Sequence, residues 1–302
     1  MGIVLLETKA AVREFVAEAR AKGSGIGLVP TMGAIHNGHQ SLVTAALEHV
    51  DTVIASVFVN PTQFSPTEDF DAYPRTLDAD LAAMEEAGAA AVFAPSVSEM
   101  YGEALVADMR ANGLTPDTFN KLSHAVAGNA SRLWEGERRP THFDGVTMVV
   151  SKLFNIVQPD VACFGEKDFQ QLAVLRQMVA DMDFNLEVIG CPIVREESGL
   201  AVSSRNRYMD ESQHERALCL SRSLREARAA FAAGERNVAT LLDAARATIE
   251  EQRLTIDYVE IVDAVTLEPL ETLENVHGSE ARMILAAYVD DTVRLIDNAA
   301  LA

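Results

Sequence analysis

The stretch of sequence that decides the fold is Thr-Val-Ile-Ala-Ser-Val-Phe-Val, residues 52–59. Apolar and β-branched residues follow one another here almost without interruption, whereas a strand with one face in water alternates apolar and polar side chains. Parallel strands that are covered by helices on both faces carry this continuous pattern. Residues 52–59 therefore predict a buried central strand of a parallel sheet.

The chain on either side of this strand repeats the pattern. From residue 26 to residue 194, short apolar runs alternate with amphipathic stretches, which is typical of parallel strands joined by crossover helices. Apolar residues recur at helical spacing from 146 to 157, and residues 76–80 resemble the capped, acidic start of another helix. The other predicted strands are Gly27–Val29, Ala90–Phe93, Val161–Phe164 and Leu186–Ile189. We predict an α/β domain with a doubly wound, Rossmann-like parallel sheet.

The rhythm changes after about Pro192, where helical patterns precede consecutive strands. The predicted elements are helices at Glu211–Ala233 and Asn237–Gln252, then strands at Ile256–Val262 and Met283–Val289. This order favours a smaller α+β domain over a continuation of the parallel sheet. At 302 residues the chain is also longer than a single hydrophobic core usually grows. We predict two domains, residues 1–192 and 193–302.

The composition limits the classes of partner and compartment. Asp and Glu number 45 against 25 Lys and Arg, which gives a formal net charge of -20. This charge repels polyanions, so we expect neither nucleic acid nor an anionic membrane surface as a partner. No apolar run approaches the ~18 to 20 residues of a membrane helix, and the first residues lack a basic, apolar leader. The three cysteines show no metal or dithiol spacing and predict reduced, buried thiols in a cytoplasmic protein.

The first candidate site is the segment Pro-Thr-Met-Gly-Ala-Ile-His-Asn-Gly-His, residues 30–39, before a helix predicted to begin near Gln40. Exposed amides at a helix start bind anions, and the two glycines let the backbone approach a phosphate closely. His36 and His39, which are separated by two residues, can converge on one ligand. The alternative is that a histidine at this position only caps the helix.

A second glycine cluster, Gly-Ser-Gly-Ile-Gly at residues 23–27, does not have the context of a nucleotide fingerprint. It precedes a predicted strand instead of following one, and the chain contains no Gly-x-x-x-x-Gly-Lys-Ser/Thr sequence. We expect neither an NAD site nor a P-loop.

Two further segments carry groups that suit phosphate. Residues 165–168, Gly-Glu-Lys-Asp, follow a short apolar strand and open a helix, and Lys167 is one of only five lysines in the chain. Residues 203–205, Ser-Ser-Arg, offer two hydroxyls and a guanidinium to phosphate oxygens. The alternatives are a solvated surface lysine in the first segment and a simple capped turn in the second.

Two amide side chains, Asn60 and Gln63, follow the central strand. Neutral amides can bind a carboxylate or hydroxyl substrate without adding charge to the site. The alternative is a plain turn, for which Asn-Pro is a common start.

Six blocks of the sequence together resemble the pantothenate synthetase family. The His-x-Gly-His segment is similar to the signature of the nucleotidyltransferase superfamily, which also contains class I aminoacyl-tRNA synthetases and cytidylyltransferases. The blocks that resemble pantothenate synthetases in order and spacing are residues 30–39, 57–64, 73–76, 138–146, 164–171 and 203–206. The resemblance is close up to Tyr208 and looser beyond it. Asn37 and Gln40 depart from the family pattern, which leaves room for a different helix start.

The resemblance implies an AMP-forming ligase that adenylates pantoate with Mg²⁺ and ATP and passes the pantoyl group to β-alanine. It also implies a homodimer, with the N-terminal domain binding ATP and pantoate and the smaller domain acting as a lid. The rival enzymes are a cytidylyltransferase and a fragment of a tRNA synthetase, and the remaining alternative is a nucleotide-binding protein without catalytic activity.

The resemblance assigns each candidate residue a role. The catalytic residues that it implies are His36, His39, Lys167, Ser203, Ser204 and Arg205. The further ATP contacts are Met32, Gly33, Gly38, Gly165, Glu166, Asp168, Val194 and Val202. The pantoate contacts are Asn60, Gln63 and Gln171, and Gln63 also contacts β-alanine. No residue is assigned to Mg²⁺.

Overall fold

The computed structural model describes residues 2–64, 70, 72–112, 127–274, 276 and 280–301. The chain forms two compact units. The first unit contains residues 1–165 and 174–191, and the second contains residues 166–173 and 192–302. A short piece of chain that lies inside the first unit in sequence therefore belongs to the second.

The first unit is built on a six-stranded parallel sheet with the order β1-β4-β3-β2-β5-β6. Its strands are β1 Val4–Leu6, β2 Ile26–Thr31, β3 Thr52–Val57, β4 Ala91–Phe93, β5 Val161–Gly165 and β6 Glu187–Cys191. The chain moves from β2 through β3 to β4 in one direction and from β5 to β6 in the other. The strand order thus reverses between β2 and β5, and ligands of such sheets bind at the carboxyl ends of the strands beside that reversal.

Helices connect these strands, and at least four of the helices contact the sheet. Their bounds are α1 Lys9–Ala21, α2 Asn37–Leu47, α3 Leu77–Ala87, α4 Val97–Tyr101, α5 Glu103–Asn112, α6 Glu135–Arg138, α7 His142–Val157 and α8 Phe169–Asp181. Helix α1 packs with α7, and α2 packs with α3. Val53, Ile54 and Ala55 of β3 are all fully buried, although successive side chains point to opposite faces of the sheet. The continuous apolar run reflects burial on both faces, and the predicted doubly wound fold is confirmed.

The second unit combines two helices with a three-stranded antiparallel sheet in the order β7-β8-β9. Its elements are α9 Glu211–Ala232, α10 Val238–Glu251, β7 Thr255–Asp263, β8 Ala281–Val289 and β9 Val293–Ala300. Both predicted helices begin and end within a residue of their predicted bounds, and Asp210 and Asn237 cap their first turns. The predicted α+β class is confirmed for this part of the chain.

Two strands escaped the sequence prediction. Strand β1 is short, lies at the sheet edge and exposes Val4 and Leu5, so it lacks the pattern of a buried strand. Strand β9 carries Arg294, Asp297 and Asn298 among its apolar residues. These polar residues are engaged in side-chain hydrogen bonds, so the strand is well packed although its sequence does not alternate cleanly.

None of the described helices is long and apolar enough to cross a membrane. The three cysteines are buried and form no disulfide, as the sequence predicts. Burial raises the pKa of the Cys219 thiol to about 11, which keeps this side chain protonated and unreactive at neutral pH.

Candidate active site

The turn between β2 and α2 brings the two candidate histidines together. Helix α2 begins at Asn37, before the predicted start near Gln40, because His36 occupies the cap position in an extended conformation. The His36 backbone N–H donates to Nδ1 of His39 (3.4 Å), and the two rings stack with centroids 3.9 Å apart. Since Nδ1 of His39 accepts a hydrogen bond, a neutral His39 ring carries its proton on Nε2. The histidines therefore do take part in capping the helix, as the alternative predicts. Capping uses Nδ1 of His39, and Nε2 of His39 keeps its proton for donation.

The same turn is held in place by Asp80, which lies in the first turn of α3. The Asp80 carboxylate accepts from the backbone N–H groups of Ala34 (3.3 Å) and Ile35 (2.9 Å) and from the Thr76 hydroxyl (3.1 Å). Ala34 has a φ of 51°, in the left-handed region that alanine seldom adopts. The carboxylate bonds offset the cost of this backbone. The acidic helix start predicted from residues 76–80 thus has a second function that the sequence pattern did not reveal.

Gly33 is required at the tightest point of the turn. Its φ is +87°, and a Cβ atom there would lie 2.9 Å from Asp80 Oδ2 and 3.1 Å from Val57 Cγ1. Any larger residue would push the carboxylate away from the amides that it binds. Gly33 and Asp80 therefore define the path of the backbone that leads into the two histidines.

Asn60 and Gln63 form a buried amide pair after β3. Asn60 Nδ2 donates to Gln63 Oε1 (3.0 Å) and to the carbonyl oxygen of Gly145 (3.1 Å). Asn60 Oδ1 accepts from the Tyr101 hydroxyl (2.7 Å) and from the Thr62 hydroxyl (2.9 Å). The polar atoms of Asn60 are thus engaged by protein groups, and Asn60 orients the amide of Gln63.

Gln63 presents its amide nitrogen to the β2 turn. With Oε1 taken by Asn60, Gln63 Nε2 lies 3.1 Å from the sulfur of Met32, a weak acceptor that a better one could replace. Asn60 also begins the short 3₁₀ helix Pro61–Gln63, so the turn predicted as the alternative is present as well. The turn is compatible with a binding role for Gln63, because the turn sets the orientation of the Gln63 amide.

Residues of helix α7 contact the turn that carries Asn60 and Gln63. A Cβ atom on Gly145 would lie 2.2 Å from the carbonyl oxygen of Thr62, so only glycine allows this approach. His142 Nδ1 lies 2.9 Å from the carbonyl oxygen of Gln63, and its Nε2 lies 3.1 Å from Arg139 Nη1. A carbonyl only accepts and a guanidinium only donates, so these bonds assign the ring proton to Nδ1. The family-like block at residues 138–146 therefore contributes residues that hold the turn of Gln63 in place.

Burial also fixes the protonation of Tyr101. Removal from water raises the pKa of its hydroxyl well above the ordinary value, so the group keeps its proton and donates to Asn60. Sequence reasoning did not single out Tyr101, because its hydroxyl meets Asn60 only through the folding of two distant segments.

The Gly165–Asp168 segment begins at the last residue of β5 and leads through the short 3₁₀ helix Glu166–Asp168 into α8. The Lys167 side chain is only 19% exposed, and its Nζ lies 3.7 Å from Asp168 Oδ1. A solvated surface lysine does not have this environment. Lys167, Asp168 and the half-buried Gln171 belong to the second unit, whereas Gly165 belongs to the first.

The Ser203–Arg205 segment begins another short 3₁₀ helix, Ser204–Tyr208. The Arg205 backbone N–H donates to the Ser203 hydroxyl (3.2 Å), so the predicted capped turn is present. Upstream, the Val202 N–H donates to the Val194 carbonyl oxygen (3.0 Å), which places these two candidate residues side by side. All three residues of the segment are half-buried, and their hydroxyl and guanidinium groups belong to the second unit.

The described residues contain no group of three or more His, Cys, Asp and Glu side chains arranged to hold a metal ion. The buried Asp80 carboxylate accepts hydrogen bonds from two backbone amides. Within the described ranges, the side chains therefore do not fit a resident metal. A Mg²⁺ ion bound mainly by substrate phosphates and water needs no such cage.

A doubly wound parallel sheet with strand-to-helix turns at the carboxyl ends of its strands is the architecture of the α/β nucleotide-binding class. The profile of the family described as pantoate-beta-alanine ligase matches residues 4–300. The chain belongs to this family.

Individual relatives match over nearly the whole chain. The pantothenate synthetase of Moorella thermoacetica is 48% identical over 298 residues, which is 98% of each chain. The crystal structure of pantothenate synthetase from Thermus thermophilus has a TM-score of 0.86 and 42% identity, and the match covers 99% of both chains. The Francisella tularensis pantoate-beta-alanine ligase, solved with beta-gamma ATP and beta-alanine, has a TM-score of 0.75 and 30% identity, covering 99% of this chain and 98% of that one.

Proposed function

We propose that the protein condenses pantoate with β-alanine in an ATP-dependent, AMP-forming reaction that passes through a pantoyl adenylate. The observation that carries this proposal is the family match over residues 4–300. The Francisella relative, solved with a form of ATP and with β-alanine, supports the choice of substrates. The buried amide of Gln63 and the paired histidines supply suitable chemistry.

In the first step, a pantoate carboxylate oxygen attacks the α-phosphorus of Mg-ATP. A new P–O bond forms, the bond from the α-phosphorus to the bridging oxygen breaks, and pyrophosphate leaves. We assign the stabilisation of the developing charge to six groups, all donors suited to phosphate oxygens. They are His36, His39, Lys167, Ser203, Ser204 and Arg205.

The remaining ATP contacts are proposed from the same turns. Met32 and Gly33 lie in the β2–α2 turn and Gly38 lies in the first turn of α2, and a helix N-terminus suits a phosphate. Gly165, Glu166 and Asp168 flank Lys167, and Val194 and Val202 precede Ser203. Mg²⁺ arrives in this proposal as part of the Mg-ATP substrate and takes no assigned protein ligand.

In the second step, the β-alanine amine attacks the acyl carbon of the adenylate. A C–N bond forms, the bond from the acyl carbon to the phosphate oxygen breaks, AMP leaves, and the amine loses a proton. We assign Gln63 to both organic substrates and Gln171 to pantoate. Asn60 stays a predicted pantoate residue, and its bond to Gln63 Oε1 supports a role exerted through Gln63.

A cytoplasmic homodimer completes the proposal, and it rests on the resemblance to the family. Multi-angle light scattering tests the dimer, for which the expected mass is twice the 32.7 kDa of one chain. A mass of a single chain at micromolar concentration would contradict it.

The nucleotide product tests the reaction. Incubation with ATP, pantoate and β-alanine is expected to give AMP and pyrophosphate, and pantoate labelled with oxygen-18 in its carboxylate is expected to transfer label to AMP. ADP and phosphate as products, or unlabelled AMP, would exclude a pantoyl adenylate. A nucleotide-binding protein without catalytic activity would bind ATP and release no AMP.

A further inference from the structure

Two residues of the antiparallel sheet contact the segment that carries Lys167. Arg282 is near the start of β8 and Asn298 is near the end of β9. Both are buried, and both bond to residues more than a hundred positions earlier in the chain. All the groups involved belong to the second unit.

Asn298 fixes the backbone on both sides of Lys167. Its Nδ2 donates to the carbonyl oxygens of Glu166 (2.9 Å) and Lys167 (3.0 Å). The first carbonyl belongs to the peptide group before the Lys167 Cα atom, and the second belongs to the peptide group after it. Holding both peptide planes fixes φ and ψ of Lys167, and these angles set the direction in which its side chain leaves the backbone.

Arg282 contacts Asn298 and two residues close to Lys167 in sequence, Glu166 and Phe169. Its Nε donates to Asn298 Oδ1 (2.6 Å), which locks the orientation of the amide described above. Its Nη2 donates to Glu166 Oε2 (2.7 Å), and its guanidinium carbon lies 3.9 Å from the centre of the Phe169 ring. The Glu166 carboxylate is thereby paired with a cation, which offsets its repulsion of a phosphate bound nearby.

We propose that Arg282 and Asn298 are positioning residues for Lys167 in adenylate formation. The inference rests on the proposed function, because it takes from it the role of Lys167. Preorganised donors lose most of their effect when displaced by about 1 Å, a displacement that can cost ~10²-fold in rate. The two residues thus act on the first half-reaction through the lysine, without touching a substrate.

The test uses two variants of different chemistry in the full-length protein. Asn298→Leu keeps the size of the side chain and removes both donors, and Arg282→Met keeps the unbranched stem and removes the guanidinium. Arg294→Met is the matched control. Arg294 lies on the same face of β9 as Asn298, and it pairs with Asp257 (2.6 Å) and not with the segment that carries Lys167. Thermal unfolding of each variant is measured alongside the rates.

We expect Asn298→Leu and Arg282→Met to slow adenylate formation by roughly 10-fold to 100-fold. Conversion of supplied pantoyl adenylate with β-alanine should keep most of its rate, and Arg294→Met should be near wild type in both steps. In a Lys167→Ala background the additional effect of Asn298→Leu should fall to about twofold or less, because residues that act as a unit are not additive.

The outcomes separate this inference from the proposed function. A wild-type protein that forms no AMP overturns both. If the wild type and Lys167→Ala behave as proposed but Asn298→Leu forms the adenylate at the full rate, only the inference is overturned. Full additivity with Lys167→Ala, equal slowing of both half-reactions, or unfolding of both variants would assign Arg282 and Asn298 a purely structural role.

Discussion

His39 lies in the first turn of α2, and Lys167 lies in the short 3₁₀ helix Glu166–Asp168 that follows β5. We expect both side chains to act on the α-phosphate. An interaction that strengthens only as the phosphate gains charge affects the rate of the step more than ground-state affinity. His39→Ala and Lys167→Ala should each slow the first half-reaction by roughly 10²-fold or more, the effect of losing one preorganised donor. Rapid-quench measurement of adenylate formation checks this.

The control for these two variants is purified pantoyl adenylate supplied with β-alanine, which bypasses the first step. Both variants should recover a much larger fraction of the wild-type rate in that assay. A folded variant with a normal first half-reaction would leave His39 as a side chain that only accepts from the His36 backbone at the helix start, or Lys167 as an ordinary partner of Asp168.

The Gln63 amide is oriented by Asn60 and faces the sulfur of Met32. Gln63→Ala should weaken the use of pantoate and β-alanine by roughly 1.5 to 3 kcal/mol, the cost of losing a hydrogen bond to a charged group. ATP affinity, measured by titration calorimetry, should change far less. Gln177→Ala is the matched control, because Gln177 is an exposed amide on α8 that bonds to Asp181 (2.7 Å). An equal loss of ATP affinity in Gln63→Ala would refute its assignment to the organic substrates.

At the level of elements, the β2–α2 turn depends on a carboxylate supplied by a different helix. Asp80 is 2% exposed and binds two backbone amides, whereas Asp78 in the same turn of α3 is exposed. Asp80→Asn replaces one carboxylate oxygen by an NH₂ group, so one of the two acceptors that bind the Ala34 and Ile35 amides is lost. We expect a loss of about 1 to 3 kcal/mol in the free energy of unfolding, with slower adenylate formation. Urea unfolding measures the first effect.

Asp78→Asn is the control for Asp80→Asn, since it makes the same chemical change at an exposed position. It should leave both stability and rate within experimental error of wild type. If Asp80→Asn were as harmless as Asp78→Asn, the carboxylate would not be what holds the turn.

The sequence predicted elements well where a local pattern determines them. The buried strands of the parallel sheet and the capped helices α9 and α10 have such patterns. Strand β9 does not, because its polar residues are satisfied by partners far away in the chain. The start of α2 was misplaced because His36 caps the helix, a position where Ser, Thr, Asp and Asn are the usual residues.

The candidate site divides in the same way. The strand-to-helix turns and their donors are local features of the sequence, so they could be found from it. The supports of these turns could not, because Asp80, Tyr101, Arg282 and Asn298 reach their partners across 41 to 132 positions. A pattern of neighbouring residues contains no information about contacts of that range.

At the scale of the whole molecule, residues 166–173 belong to the second compact unit although residues on both sides of them belong to the first. Amides of a cooperative unit exchange with solvent in one opening event. In native-state hydrogen exchange with increasing denaturant, the amides of 166–173 should therefore open together with β8 and β9. Opening together with β5 and β6 would show that the bonds to Arg282 and Asn298 add nothing to the stability of this segment.

The membership of residues 166–173 in the second unit also determines how this protein can be recombined with its relatives. A chimera joined at Pro192 takes Glu166 and Phe169 from one parent and Arg282 and Asn298 from the other. Sequence differences between the parents can then disrupt the contacts that hold residues 166–173. Exchanging residues 166–173 together with the C-terminal part keeps these partners from one parent. Such three-piece chimeras should retain activity more often than single-crossover chimeras at Pro192.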